Sequence, residues 1–218
     1  MKPEKLRAVM VATGEHYQAM AAITLPRAER ALGMPVELIT DVAEPYEAKL
    51  QLLDGLADDE HVLLLDTDLV FFGWDWSPIQ PGLFNAAEDM LHPSWPGTAA
   101  ILKLMPYPKE LTFNTGLWIA PGSLQSVFQA ALLSARNELK DFPYRLWEQT
   151  PLNFALQAFR TPRTWLSAQR FNWQLSPKDH ADPAPKKGTL VVHLMEGKTP
   201  QAKLERVAKY CERFPYPQ

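Results

Sequence analysis

The chain has 218 residues, 46% hydrophobic and 22% charged, with a formal net charge of −3. That length suits one large domain or two small ones and is enough to bury a substantial core. The charge balance excludes a globally basic surface of the kind that binds nucleic acid or an anionic membrane.

The first residues, Met-Lys-Pro-Glu-Lys-Leu-Arg, carry no apolar signal core, and no apolar run in the chain reaches the length of a membrane span. Residues 6–12 (Leu-Arg-Ala-Val-Met-Val-Ala) are mostly apolar and bounded by Thr13-Gly14, which predicts a first strand. Residues 15–32 read as a helix that Pro26 should kink or split, and Gly33-Met-Pro35 ends it. Residues 36–40 form a second strand. Residues 46–56 carry Leu50, Leu53 and Leu56 at helical spacing, and Asp58-Asp59 makes a turn.

The next segment, His61-Val-Leu-Leu-Leu-Asp66-Thr-Asp68-Leu-Val-Phe-Phe72, is the most informative in the chain. The run from Val62 to Leu65 predicts a strand buried on both faces. In an extended chain residues i and i+2 share a side, so Asp66 and Asp68 would lie together at its end. Two such carboxylates repel each other, and a cation between them relieves that. Oxygen ligands suit Mg²⁺ or Mn²⁺. Most bare Asp-x-Asp tripeptides are turns or solvated strand ends, and it is the apolar run before this one that favours a metal site at a strand end. The β-α-β-α-β opening predicts a parallel α/β sheet, whose ligands bind beyond the carboxyl ends of the strands.

Residues 77–110 are punctuated by Pro and Gly, with one strand near residues 83–87. Residues 116–120 form a short strand, Ser123 caps a helix to about Lys140, and residues 148–159 form another helix with Pro151 in its first turn. Residues 177–187 are a Pro-rich loop. Residues 188–193 form a last strand ending in His193, and a short helix near residues 201–210 closes the chain. That helix is followed by the chain's single cysteine, Cys211, which excludes an intrachain disulfide and suggests a reducing compartment. A cytoplasmic location is the expectation. No repeat or composition shift demands a second domain.

The order of these pieces, over about residues 9–200, resembles the retaining glycosyltransferases of family 8, the group of glycogenin and the bacterial lipopolysaccharide galactosyl- and glucosyltransferases. The resemblance implies a single domain with the GT-A fold: a Rossmann-like mixed α/β sheet flanked by helices, with residues 6–76 as nucleotide half and 77–218 as sugar half. It also implies a UDP-sugar donor and Mn²⁺ or Mg²⁺. Val11-Ala12-Thr13-Gly-Glu-His-Tyr17 is similar to the family's first strand and nucleotide turn, where a Thr and a Tyr hold the nucleoside. Ala48-Lys49-Leu50 is similar to the helix whose Lys points at the donor, and Asp66-Thr67-Asp68 to the metal-binding strand end. Phe113-Asn114-Thr115-Gly116 resembles a Phe-Asn-Ser-Gly segment whose Asn contacts the donor sugar. Trp147-Glu148-Gln149-Thr-Pro-Leu-Asn153 resembles Asp-Gln-x-x-x-Asn, with Glu in place of the usual Asp. Its carboxylate binds sugar hydroxyls and its Gln lies near the anomeric centre. Residues 166–172, ending in Phe171-Asn172, resemble Leu-Pro-x-x-Tyr-Asn. His193-Leu-Met-Glu-Gly197-Lys198 is similar to His-Phe-x-Gly-x-x-Lys, with Gly four rather than three residues after His and Lys five rather than six.

The implied site has Asp66, Asp68 and His193 on the metal. Ala12, Thr13, Tyr17, Lys49, Asp66, Thr67, Gly197 and Lys198 hold the nucleoside diphosphate, and Asn114, Glu148 and Gln149 face the donor sugar. The acceptor, a glycan, lipid or protein, is not legible, although Trp74, Trp76 and Trp95 offer faces for a sugar. Two other readings compete. Leu-Leu-Leu-Asp66-Thr-Asp68 also resembles the first motif of haloacid-dehalogenase-like Mg²⁺-dependent phosphatases, but stands on the third strand and is followed by Leu69 rather than Gly. The departures at Glu148, Gly197 and Lys198 are also compatible with a non-catalytic nucleotide-sugar-binding protein.

Overall fold

The computed structural model describes residues 1–89, 96–107, 112–142, 148–175, 182–195 and 199–217. Its main sheet has six strands in the order β2-β1-β3-β6-β5-β7. These are β1 Leu6–Val11, β2 Val36–Ile39, β3 His61–Leu65, β5 Phe84–Glu88, β6 Phe113–Pro121 and β7 Arg163–Leu166. A second sheet, β4-β9-β8, is built from β4 Leu69–Phe71, β8 Trp173–Leu175 and β9 Val191–Leu194. The helices are α1 Glu15–Leu32, α2 Pro45–Leu50, α3 Pro96–Leu104, α4 Gln125–Arg136, α5 Gln149–Ala158, α6 Ala168–Phe171 and α7 Pro200–Arg213.

Alternation along the central strands explains the layering. In β1 and β3, Val9, Val11, Val62 and Leu64 face one way, against α4 and α5 through Phe128, Ala131, Leu152 and Leu156. Ala8, Met10, Leu63 and Leu65 face the other way, against α1 and the second sheet through Ala21, Ala28, Leu69 and Phe71. Both faces are therefore covered, which is why these strands read as continuous apolar runs. The second sheet in turn presents Val70, Val192 and Leu194 to Val207, Tyr210 and Cys211 of α7.

The parallel sheet expected from the opening holds for β2-β1-β3. Strand β6 then enters antiparallel between β3 and β5, so the sheet is mixed. Because β2 and β3 flank β1, the chain reverses its winding between β1 and β3. That switch point leaves a crevice at the carboxyl ends of the two strands.

Several local expectations are corrected. Pro26 does not split α1: it removes one ladder hydrogen bond, but Met20, Ala21, Thr24, Ala28 and Leu32 are buried along its length and hold it as one helix. The helix ends at Gly33 in the left-handed conformation (φ 64°), its N–H on the Glu29 carbonyl. Helix α2 stops at Leu50 rather than near 56. Beyond it Asp54 N–H bonds Gln51 O and Leu56 N–H bonds Leu53 O, so tight turns replace the helical ladder while Leu52 and Leu53 stay buried. Ser123 lies in a 3-10 turn (Gly122–Leu124) and does not cap α4, which begins at Gln125. Gly122 is pinned before it: its N–H bonds Glu60 O, and a Cβ there would meet Ala57 O at 2.1 Å. The last helix, α7, is longer than expected. Helix α3 lies in the stretch read as loop-rich, and β7, α6 and β8 lie where the sequence predicts no element.

The segment from 61 to 72 is not one strand. It forms β3 and β4 in two different sheets, joined by a turn at Asp66-Thr67-Asp68 in which Leu69 N–H bonds Asp66 O. Asp66 and Asp68 do converge, but through that turn rather than through strand pleating. The Thr24 hydroxyl of α1 donates to Thr67 O (2.9 Å) and fixes the turn from below.

Candidate functional site

The carboxyl ends of β1, β3, β5 and β9 meet the amino end of antiparallel β6 and the first turn of α5. Lys49, at the end of α2, lies there almost wholly buried between Asp66 Oδ1 (2.6 Å) and Glu148 Oε1 (2.8 Å). Burial alone would push its ammonium down, but the two carboxylates outweigh this and hold it well above the ordinary lysine range. Glu148 also accepts from the Thr115 hydroxyl. It stands just before α5 without capping it, so its carboxylate serves this pair and not the helix end. The Tyr46 ring lies 5.7 Å from the same ammonium. Tyr46, one turn before Lys49, was not singled out from the sequence.

Asp68 is buried more deeply than Asp66 (side chains 3% and 23% exposed), so the site opens on the Asp66 side. Asp68 Oδ2 faces His193 Nε2 at 3.2 Å and the Lys203 ammonium, from the first turn of α7, at 2.5 Å. Burial would raise the Asp68 carboxyl, but these two partners hold it far below the usual range. Ligand atoms of Asp66, Asp68 and His193 all lie within 4.8 Å of one another. His193 Nδ1 lies 2.9 Å from Asn172 Oδ1, which can accept from an Nδ1–H and so leave Nε2 for a metal. Two carboxylates and an imidazole match the donor chemistry of Mn²⁺ or Mg²⁺, so the residues present fit a divalent metal.

Gly116 makes room for this cluster. A Cβ there would meet His193 Cε1 at 2.7 Å, Asn114 Oδ1 at 2.9 Å and Asp66 Oδ2 at 3.0 Å. Gly116→Ala is expected to displace His193 and Asp66, weaken Mn²⁺ binding and destabilise the fold by about 1–3 kcal/mol. Calorimetric Mn²⁺ titration beside thermal unfolding checks this, and unchanged metal affinity would mean that the three groups do not act as one cluster.

Asn114 lies inside β6, not in a turn before a strand. Its Nδ2 donates to Gln149 Oε1 (3.2 Å), and its Oδ1 accepts from Gly116 N–H (2.9 Å). Gln149 Nε2 donates to Asp89 Oδ2 (2.6 Å), and Gln174 Nε2 donates to Asp89 Oδ1 (3.3 Å). Burial pushes the Asp89 carboxyl up against these hydrogen bonds. Asp89, Gln174 and Lys203 are site residues that the sequence reading missed. Asp89 had a faint signal, an acidic residue just past a short strand; Gln174 and Lys203 had none.

Ala12 is buried at the end of β1, with its N–H on Ile39 O. Thr13 lies on the crevice, its hydroxyl toward Val42 O at 3.5 Å. Tyr17 is half-buried against both cores on the α1 side, and Thr67 is buried in the turn. Gly197, Lys198, Trp147 and Trp95 lie outside the described residues. Trp74 and Trp76, both half-buried, pack edge-on to each other (5.4 Å), and Trp74 to Phe171 (5.2 Å), in one aromatic cluster.

No protein-family model and no curated protein matches the chain. Solved structures do. The galactosyltransferase LgtC in complex with donor and acceptor sugar analogs aligns over 97% of both chains, with a TM-score of 0.66 and 16% identity. A structure of an active-site mutant of LgtC aligns equally far, at 15% identity. A glycosyltransferase involved in glycosylation of the major capsid of PBCV-1 covers 93% of this chain and 99% of its own, with a TM-score of 0.60 and 16% identity. The likeness over nearly the whole length, with the mixed sheet and its switch point, shows that the chain has the GT-A-type fold of these glycosyltransferase structures.

Proposed function

We propose that the protein is a metal-dependent glycosyltransferase that moves a hexose from a UDP-sugar to an acceptor with retention at the anomeric carbon. The observation that carries this reading is the convergence of Asp66, Asp68 and His193 with the Lys49–Glu148 pair and the Asn114–Gln149–Asp89 array at one mouth of a GT-A fold. These residues, separated widely in sequence, meet there.

Asp66, Asp68 and His193 would hold the metal, which supplies Lewis-acid stabilisation of the diphosphate charge as the sugar leaves. Thr13 and Tyr17, beside β1, hold the nucleoside. Lys49 fixes Asp66 and Glu148 in one geometry, so both carboxylates are set before the donor arrives. Glu148 and Asn114 orient sugar hydroxyls. Asp89 and Asn114 clamp both ends of the Gln149 amide, which faces the reacting carbon without freedom to rotate. Retention, with the departing phosphate taking the acceptor proton, is carried over from the family 8 resemblance. The phosphatase reading places its motif on the first strand and follows the second Asp with Gly, whereas Asp66 and Asp68 follow the third strand, β3, and Asp68 precedes Leu69.

The testing experiment is thermal unfolding with UDP-glucose, UDP-galactose, UDP-N-acetylglucosamine and a GDP-sugar, each with Mn²⁺ and with EDTA, followed by donor hydrolysis. A UDP-sugar is expected to raise the melting temperature with Mn²⁺ and much less with EDTA. Equal shifts in EDTA would remove the metal from the reading, and hydrolysis of p-nitrophenyl phosphate in place of the UDP-sugar would replace it by the phosphatase.

A further inference from the structure

The site already contains a cation. Lys203 Nζ lies 2.5 Å from Asp68 Oδ2, the same oxygen that faces His193 Nε2 at 3.2 Å. Asp66 and Tyr17 are near enough to act electrostatically on the same ammonium. The lysine thus occupies a corner shared by two of the three candidate metal ligands, beside the residue assigned to the nucleoside. Asp68 is 3% exposed and Lys203 21%, so the ion pair is desolvated on the carboxylate side and open on the lysine side.

The helix carrying Lys203 is anchored just beyond it. Arg206 binds both carboxylate oxygens of Asp182 and the carbonyls of Met195 and Leu175. Val207, Tyr210 and Cys211 are buried against the second sheet and α1, and Arg27 holds the carbonyls of Cys211 and Phe214. The backbone of α7 is thereby fixed, whereas the long Lys203 stem has a solvent side into which it can turn. A divalent cation needs the Asp68 oxygen that the ammonium holds, and the two positive charges repel at that distance. A nucleoside diphosphate brings negative charge to the same mouth, and an ammonium released from Asp68 is free to pair with it, whereas Lys49 is held by two carboxylates.

We propose that Lys203 is the resident counter-cation of the site: it holds Asp68 in the metal-free protein, yields that oxygen when a divalent cation binds, and then pairs with the donor's diphosphate. This rests on the metal and nucleoside-diphosphate reading given above. It makes Lys203 an opponent of metal binding alone and a supporter of nucleotide binding once metal is present. A lysine with only a structural role would not show that change of sign.

The experiment uses the full chain as wild type, Lys203→Met and Lys203→Arg. Mn²⁺ binding is read from the electron paramagnetic resonance of the free ion, and UDP binding at saturating Mn²⁺ by calorimetry. Lys203→Met is expected to bind Mn²⁺ roughly tenfold tighter than wild type and, once saturated with Mn²⁺, to bind UDP roughly tenfold more weakly. Its melting temperature falls without metal, because Asp68 loses its partner, and Mn²⁺ restores it by more than it raises that of wild type. Lys203→Arg keeps the charge and holds UDP affinity close to wild type. Unchanged or weaker Mn²⁺ binding by Lys203→Met overturns the proposal, as does undiminished UDP affinity at saturating Mn²⁺. Absence of Mn²⁺ binding in all three proteins, with and without UDP, overturns the metal reading itself. Wild-type binding without the Lys203→Met gain overturns only the role of Lys203.

Discussion

Asp68→Asn is expected to abolish the Mn²⁺-dependent stabilisation by UDP and to cut sugar transfer by orders of magnitude. Asn keeps the shape of the side chain but removes its charge, and a neutral amide is a poor ligand for a hard divalent cation. The structure adds a second effect. Asp68 is the buried partner of Lys203 and His193, so the variant leaves the lysine ammonium without a carboxylate. Stripping a buried ion of its partner costs about 3–5 kcal/mol. The amide oxygen still accepts a hydrogen bond and Lys203 is partly solvated, so a loss of about 1–3 kcal/mol is expected here. Folded Asp68 ionises far below its usual range, so its contribution is present above the ordinary aspartate value of 3.8 and is lost as pH falls below it. The difference in stability between wild type and Asp68→Asn should therefore be constant near neutrality and shrink only in strong acid. Denaturant unfolding at several pH values, beside UDP-sugar turnover, checks both effects. Normal turnover by a folded Asp68→Asn would reduce the turn at residues 66–68 to a structural feature.

The second large effect is expected at Lys49. Lys49→Met removes the only described group that pairs with both Asp66 and Glu148, at 2.6 and 2.8 Å. Two carboxylates, one of them Glu148 at 5% side-chain exposure, are then left facing each other across an apolar stem. A destabilisation of about 3–5 kcal/mol follows at neutral pH. Its pH dependence has a definite sign. In wild type the folded lysine is held above its ordinary value of 10.5, so its stabilisation is complete below that value and is lost only as pH rises through the folded one. The deficit of the variant relative to wild type should thus be constant near neutrality and shrink only in strong alkali. A deficit that persists undiminished in strong alkali would show that Lys49 acts by packing its stem rather than by charge. Transfer activity falls as well, because Asp66 and Glu148 lose their common orientation. Unlike the expectation for a residue touching only the sugar, UDP affinity falls too, since Asp66 is one of the candidate metal ligands.

The sequence by itself determined the central strands, because β1 and β3 are buried on both faces and such strands must be apolar throughout. It determined that a chemically unusual pair of aspartates ends the third strand, and the order of the weak motifs pointed to the GT-A fold. The tertiary structure alone decided how the site is wired. Asp66 and Asp68 meet through a turn between two sheets, and no local pattern tells such a turn from a continuing strand when Leu69-Val-Phe71 is as apolar as what precedes it. Asn114 belongs to β6 because an antiparallel strand inserts between β3 and β5, a pairing that depends on partners far away in the chain. Asp89, Gln174 and Lys203 joined the site only through that sheet order and the docking of α7. Each is an ordinary polar residue on a short element, and its chemistry comes from a partner 60, 85 or 135 positions away. Periodicity and turn chemistry act over a few residues, whereas desolvation and charge pairing act across whatever the fold brings within a few ångströms. Glu148 shows the division most clearly: its helix-start position was legible, but that its carboxylate turns away from the helix to a buried lysine was decided by the packing of α2 against the mouth of the sheet.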